Sequence, residues 1–186
     1  MTQSLSAQAE NFKNKLSFPV IVAPMFLLST PDFALAACKE GVVGSFPALN
    51  QRTTEGLEQW LTQMEQGIAD LKAKNPNQKI APYAVNIISN AGSNPRFIPD
   101  LDACIAHKVP IIIASLGLSP ELIQKVHAYG GIVLQDVANI DHAKGAAKAG
   151  VDGLIAVAAG AGGHAGMQNP MSFVSEIRSF FNGIVI

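Results

Sequence analysis

Little of this chain is charged. Of its 186 residues, 15% are Asp, Glu, Lys or Arg, and the formal net charge is −1. Arginine occurs only at Arg52, Arg96 and Arg178, with no cluster among them. A basic surface for nucleic acid or an anionic membrane is therefore not expected. No apolar run reaches the roughly 18 residues that suggest a membrane span. The N-terminal stretch MTQSLSAQAENFKNKLSF is polar and lacks the apolar centre of a secretory signal. Cysteine is limited to Cys38 and Cys104, both inside helical patterns. That scarcity argues against a disulfide framework and for a reducing, cytoplasmic setting.

What is abundant is apolar residues, 48% of the chain, in short runs separated by helical patterns. The expected strands are Pro19–Ala23, Val42–Ser45, Ile80–Ile88, Ile111–Ala114, Ile132–Leu134, Gly153–Val157 and, at the end, Ile184–Ile186. Between the second and third lies a helix from about Thr54 to Ala73, with Leu57, Trp60, Leu61, Met64, Ile68 and Leu71 at three- and four-residue spacing. Shorter helices are expected over Pro31–Lys39, Ile98–His107, Pro120–Tyr129, Ile140–Ala149 and Pro170–Phe181, with Thr30 and Ser119 as caps. Continuous apolar strands without polar alternation fit a parallel sheet buried on both faces. Strand–helix units in series suggest a doubly wound sheet or a (β/α)8 barrel. No linker or low-complexity tract divides the chain, so one domain over 1–186 is expected. A barrel has eight strands and typically about 250 residues. On the barrel reading this chain is expected to be a barrel truncated in its seventh strand, and the loops that often hold phosphate lie beyond it.

The densest chemical signal is Val151 to Gly166, VDGLIAVAAGAGGHAG. A buried strand runs into glycines that let backbone approach a ligand, and His164 is a titratable group set in that loop. Taken alone it is equally a tight turn with a solvated histidine. His107, His127 and His142 fall in helices or at their ends and read as solvated surface residues.

Several segments in order resemble the nitronate monooxygenase family, whose members are FMN-dependent (β/α)8 barrels. They are Ala23-Pro24-Met25 after the first strand, Val85-Asn86 at the third, Ile113 to Gly117 at the fourth, Leu134 to Val137 at the fifth, and Ala159 to Gly166 after the sixth. Each is weak alone; together they fall at the C-terminal strand ends, where barrel active sites lie. The resemblance implies flavin contacts from the backbone at Ala23, Pro24 and Met25, from Asn86, Ser115 and Gln135, and from the loop at Gly162 and Gly163. It implies His164 and Gln135 as donors to a substrate nitro group. The implied reaction is oxidation of an alkyl nitronate by O2 to a carbonyl compound and nitrite, on a small-molecule substrate and in a possible homodimer.

One position departs from the family pattern. A histidine that deprotonates neutral nitroalkanes in other members aligns with Gln135, and a glutamine amide has no useful basicity. The chain then acts only on preformed nitronates, or Asp136 or His164 takes over. Asp136 also reads as an inward-facing structural acid or a cap for the next helix. In the glycine loop Gly160 stands where many members carry Glu. Two other outcomes remain open: an FMN-dependent enoyl-reductase-like oxidoreductase, and an inactive barrel fragment with unpaired strand edges.

Overall fold

A computed structural model describes residues 4–186. They begin with a helix that the sequence reading did not assign, α1 (Leu5–Asn14), capped by Ser4 Oγ accepting the Ala7 N–H at 3.3 Å. Six strands then form one parallel sheet in chain order: β1 (Gly44–Pro47), β2 (Tyr83–Ile88), β3 (Ile111–Ser115), β4 (Ile132–Val137), β5 (Gly153–Ala156) and β6 (Ile184–Val185). Helices alternate with them: α2 (Pro31–Lys39) before β1, then α3 (Thr54–Lys74), α4 (Phe97–Ala106), α5 (Pro120–Ala128), α6 (Ile140–Ala149) and α7 (Pro170–Arg178). Thr30 and Ser119 cap α2 and α5 as expected, each followed by proline in the first helical turn.

The first expected strand is not a strand. Pro19–Ala23 contributes a single parallel bridge, Ile21 to Val43, with the Val22 N–H donating to Val43 O at 2.8 Å. Pro19 and Pro24 bracket the segment and have no N–H to extend a ladder. The second strand is displaced to Gly44–Pro47, and the fifth runs three residues further than expected, through Gln135 and Asp136 to Val137.

Side chains along the strands alternate between two apolar layers. The outer layer joins Phe46, Val85, Ile87, Ile112, Val133 and Leu154 to helix residues such as Leu57, Leu61, Leu101, Leu122 and Phe173. The inner layer collects Val43, Ala84, Ile111, Ile113, Leu134 and Ile184, with Ile21 packed against them. Both faces are buried, which is why the strands read as unbroken apolar runs. Because residues from the Ile21 segment round to β6 share one inner cluster, the sheet is curled in the manner of a (β/α) barrel. Between that segment and β6 lies a cavity of about 260 Å3, lined in part by Pro19, Ile21, Ile184 and Val185.

Phe12 and Leu16 join the inner layer, so α1 closes the N-terminal end of the strands. Gln8 Nε2 donates to Asp152 Oδ1 at 2.6 Å. Asp152, buried just before β5, also accepts the Val133 N–H at 2.7 Å and lies 2.8 Å from His127 Nε2. His127 is exposed, as expected, and also tied to the base of the sheet, and His107 Nδ1 lies 3.0 Å from Glu65. His142 is exposed, as expected. On the outer side Asp100 is fully buried and pairs with Arg96 at 2.9 Å, while Thr54 Oγ1 donates to it at 2.7 Å, so one carboxylate joins α3 to α4.

Candidate active site

The C-terminal ends of the strands gather polar side chains into an otherwise apolar interior. Asn86 on β2, Ser115 on β3 and Asp136 on β4 form a hydrogen-bonded chain. Asn86 Nδ2 donates to Ile113 O at 3.0 Å and to Ser115 Oγ at 2.7 Å. Ser115 Oγ in turn donates to Asp136 Oδ2 at 2.5 Å. Strand parity brings them together: Asn86 follows Ala84, Ser115 follows Ile113 and Asp136 follows Leu134, each two residues beyond an inner-layer side chain.

The direction of this chain is fixed by its far end. A carbonyl oxygen only accepts, so Ile113 O requires the NH2 side of the Asn86 amide there. That amide then donates to Ser115 Oγ, and the single hydroxyl proton of Ser115 is left for Asp136. Burial pushes the Asp136 carboxyl above the usual carboxylate range, against a smaller lowering from the Ser115 hydroxyl. Asp136 is not the cap of the next helix; Asn139 is, its Oδ1 accepting the His142 N–H at 2.8 Å.

Gln135, the neighbour expected to meet substrate, has the parity of Val133 and Val137, which belong to the helix-facing layer. It is 5% exposed, and its amide donates to Ala114 O at 3.0 Å and Asp136 O at 3.3 Å. The β4 side chain at the mouth is Asp136.

The Ala23-Pro24-Met25 turn is held from behind. The Met25 N–H donates to Ser29 Oγ at 2.9 Å, and Met25 O accepts from Asn50 Nδ2 at 3.1 Å. Asn50 Oδ1 also accepts the Leu27 N–H at 2.9 Å, where Leu27 is left-handed at φ 63°. The Met25 backbone groups are engaged within the turn. Those of Ala23 have no hydrogen-bond partner among the described residues. Ser29 and Asn50 are supports that sequence reasoning missed, because neither lies in a periodic element or a motif.

After β5 the chain runs as an exposed loop through Ala159 to Gly166. Gly163 has φ 74°, a conformation that favours glycine, and open space lies beside both Gly162 and Gly163. His164 is exposed, and no hydrogen bond joins this loop to the Asn86–Ser115–Asp136 chain among the described residues. Around the same end Phe26, Leu27, Leu28, Leu116, Leu118, Met167 and Met171 present apolar side chains to solvent. The cysteines take no part: both are buried, Cys38 with its thiol pushed up to about 11 by burial and Cys104 raised by the same cause.

A parallel α/β sheet with its chemistry-bearing residues at the C-terminal strand ends defines the class. Within it, the chain belongs to the nitronate monooxygenase family, whose model matches residues 9–181. Among curated proteins it is similar to the putative monooxygenase Rv1533 of Mycobacterium tuberculosis, 35% identical over 80 residues, 42% of this chain and 21% of that protein. It is also similar to the (3aS,4S,5R,7aS)-5-hydroxy-7a-methyl-1-oxo-octahydro-1H-indene-4-carboxyl-CoA dehydrogenase of Rhodococcus jostii, 29% identical over 148 residues, 80% of this chain and 38% of that one. Among solved structures, FabK from Thermotoga maritima superposes with a TM-score of 0.79 at 22% identity, covering 100% of this chain and 53% of that one. A nitroalkane oxidase from Streptomyces ansochromogenes gives 0.75 at 19% identity, covering 93% and 59%. These two share the fold. The chain spans 21% and 38% of the curated relatives and about half of the solved ones.

Proposed function

We propose that this chain belongs to a flavin-dependent oxidoreductase that oxidises alkyl nitronates with O2 to a carbonyl compound and nitrite. The observation that carries the reading is the directed chain Asn86–Ser115–Asp136 at the ends of three adjacent strands, in a chain of this family. The cofactor is FMN. The residues present fit a planar heteroaromatic ring with donors and acceptors on its edge. The backbone N–H and C=O of Ala23 are unpaired among the described residues, Asn86 Oδ1 has no donor, and Gly162 and Gly163 leave open space beside the loop. Transfer of electrons from substrate to O2 is the chemistry the flavin supplies when bound.

The chain's own residues do the rest. Ala23 and Asn86 orient the ring edge. His164 donates to a nitro oxygen and favours the charge that develops there. The apolar side chains of Leu27, Leu116 and Met167 shield the bound substrate from water.

A second reading is favoured by those same exposed apolar residues on three strand-end loops. They suit a long or polycyclic acyl group, and the chemistry would then be NAD(P)H-dependent reduction of an enoyl thioester. One experiment separates the two. Protein is mixed with FMN, desalted and scanned from about 300 to 550 nm, because a retained cofactor is the first requirement of either. O2 uptake and nitrite release are then followed with propionate 3-nitronate, and anaerobic NADH or NADPH oxidation with an enoyl thioester. Nitrite formation supports the first reading; thioester-dependent, O2-independent NAD(P)H oxidation replaces it with the second.

A further inference from the structure

We infer that Asp136, through its Oδ1, is the base that removes the α-proton of a neutral nitroalkane, so that the substrates of this site include nitroalkanes as well as preformed nitronates. This rests on the proposed reading of the site as one for nitronates.

The argument is geometric. Ser115 occupies Oδ2 at 2.5 Å, and Asn86 occupies Ser115 from the other side at 2.7 Å. Oδ1 receives no hydrogen bond from the described residues, yet it is not among their buried, unpartnered atoms. It is the one oxygen of the pair left open to a ligand. The hydroxyl donated to Oδ2 holds the carboxylate in one orientation, as a base must be held to meet a proton in line. The groups facing it are neutral: Ser115 from β3, Asn86 beyond it on β2, Ile155 in register on β5, and Gln135 beside it. Its proton affinity is governed by burial, which raises it, and by Ser115, which lowers it less. A carboxylate raised in this way is a better proton acceptor than one in water.

The step balances without an oxidant. The C–H bond next to the nitro group breaks and its electron pair forms the C=N bond of the nitronate. The proton goes to Asp136 Oδ1 and later to solvent. Asp136 is the catalytic residue; Ser115 positions it.

The test uses the flavin-loaded protein with nitroethane and ethyl nitronate as paired substrates. Asp136→Asn should lower kcat/KM for nitroethane at least about a hundredfold more than kcat/KM for ethyl nitronate, the usual scale of general-base catalysis. Anaerobic exchange of the nitroethane α-protons into D2O, followed by proton NMR, should also require Asp136; this readout needs no oxidation. Ser115→Ala should move the acid limb of the nitroethane pH profile upward, and Ser115→Thr should restore it. Equal nitroethane turnover by Asp136→Asn and the parent protein overturns the inference. So does a parent protein that oxidises nitronate but neither oxidises nitroethane nor exchanges its protons. If nitronate itself is untouched, the nitronate reading fails; Asp136-dependent exchange would still support the base, and absent exchange overturns it too.

Discussion

Gln135 and Asp136 are consecutive residues of one strand and face opposite layers of the protein. Gln135 turns to the helices and gives its amide to Ala114 O at 3.0 Å, while Asp136 turns inward and takes the Ser115 hydroxyl at 2.5 Å. Because a strand alternates with a period of two, the pair divides cleanly between structure and chemistry.

Replacing Gln135 by Leu should therefore disturb stability more than function. The change removes a buried hydrogen bond at nearly constant volume, and the cost should be about 1 kcal/mol. Urea unfolding measures it, and flavin retention after desalting should match the parent protein. Loss of flavin without loss of stability would put Gln135 back at the mouth.

Asp136 makes stability depend on pH in a definite direction. Its carboxyl is raised by burial in the folded state, so the fold favours the protonated form. Stability from this group is fully present below its unfolded pKa and is lost as pH rises through the folded one. Melting temperatures of the parent protein and Asp136→Asn should converge near pH 4 and separate as pH rises, with the amide variant the more stable. A separation that does not change with pH would show that burial does not govern this carboxyl.

The Arg96–Asp100 pair should be costly to break from one side. Asp100 is fully buried, and Arg96→Met would leave it with the Thr54 hydroxyl as its remaining side-chain donor. A loss of about 3 kcal/mol is expected. Circular dichroism melts of the single variant and of Arg96→Met/Asp100→Leu test this, the double variant being expected to recover part of the loss.

Gly163→Ala should be worse than Gly162→Ala, although both sites have room. Gly163 has φ 74°, and an L side chain there costs roughly 1–2 kcal/mol; no such φ is found at Gly162. If the loop meets the flavin, Gly163→Ala should also weaken FMN retention, read as absorbance surviving desalting.

The parallel α/β order was legible because it is written in hydrophobic periodicity. Leu57, Leu61 and Met64 marked the long helix, and Ile111 to Ala114 a fully buried strand. The family was legible for a different reason: its glycines and Asn86 lie at strand ends, where spacing is constrained by the sheet. Asp136 was weighed as a substitute base, an inward-facing structural acid or a helix cap; it faces inward, and Asn139 is the cap. Gln135 was expected at the mouth because it aligns with the family's histidine; the parity of the strand, continued to Val137, turns its side chain to the helices and that of Asp136 inward. The first strand was lost to Pro19 and Pro24, whose effect on pairing depends on which N–H groups a ladder needs. α1 had a readable face in Leu5, Ala9 and Phe12, but its polar setting masked it. Ser29 and Asn50 carried no signal, since their role is to hold a turn whose shape only the fold defines.

The helix at the base of the sheet has a temporal consequence. Gln8 meets Asp152 across 144 residues of chain, among the longest spans that any contact here must close. Loop closure grows costlier with span, and contacts of high sequence separation slow folding. On a ribosome adding about 5–20 residues per second, α1 would wait roughly 7–30 seconds before its partner, 144 residues later, existed. Through that interval Phe12 of α1 and Leu16 just past its end have no completed interior to enter. α1 precedes in the chain every strand it packs on, and its seating would report that the strands above it have come into place.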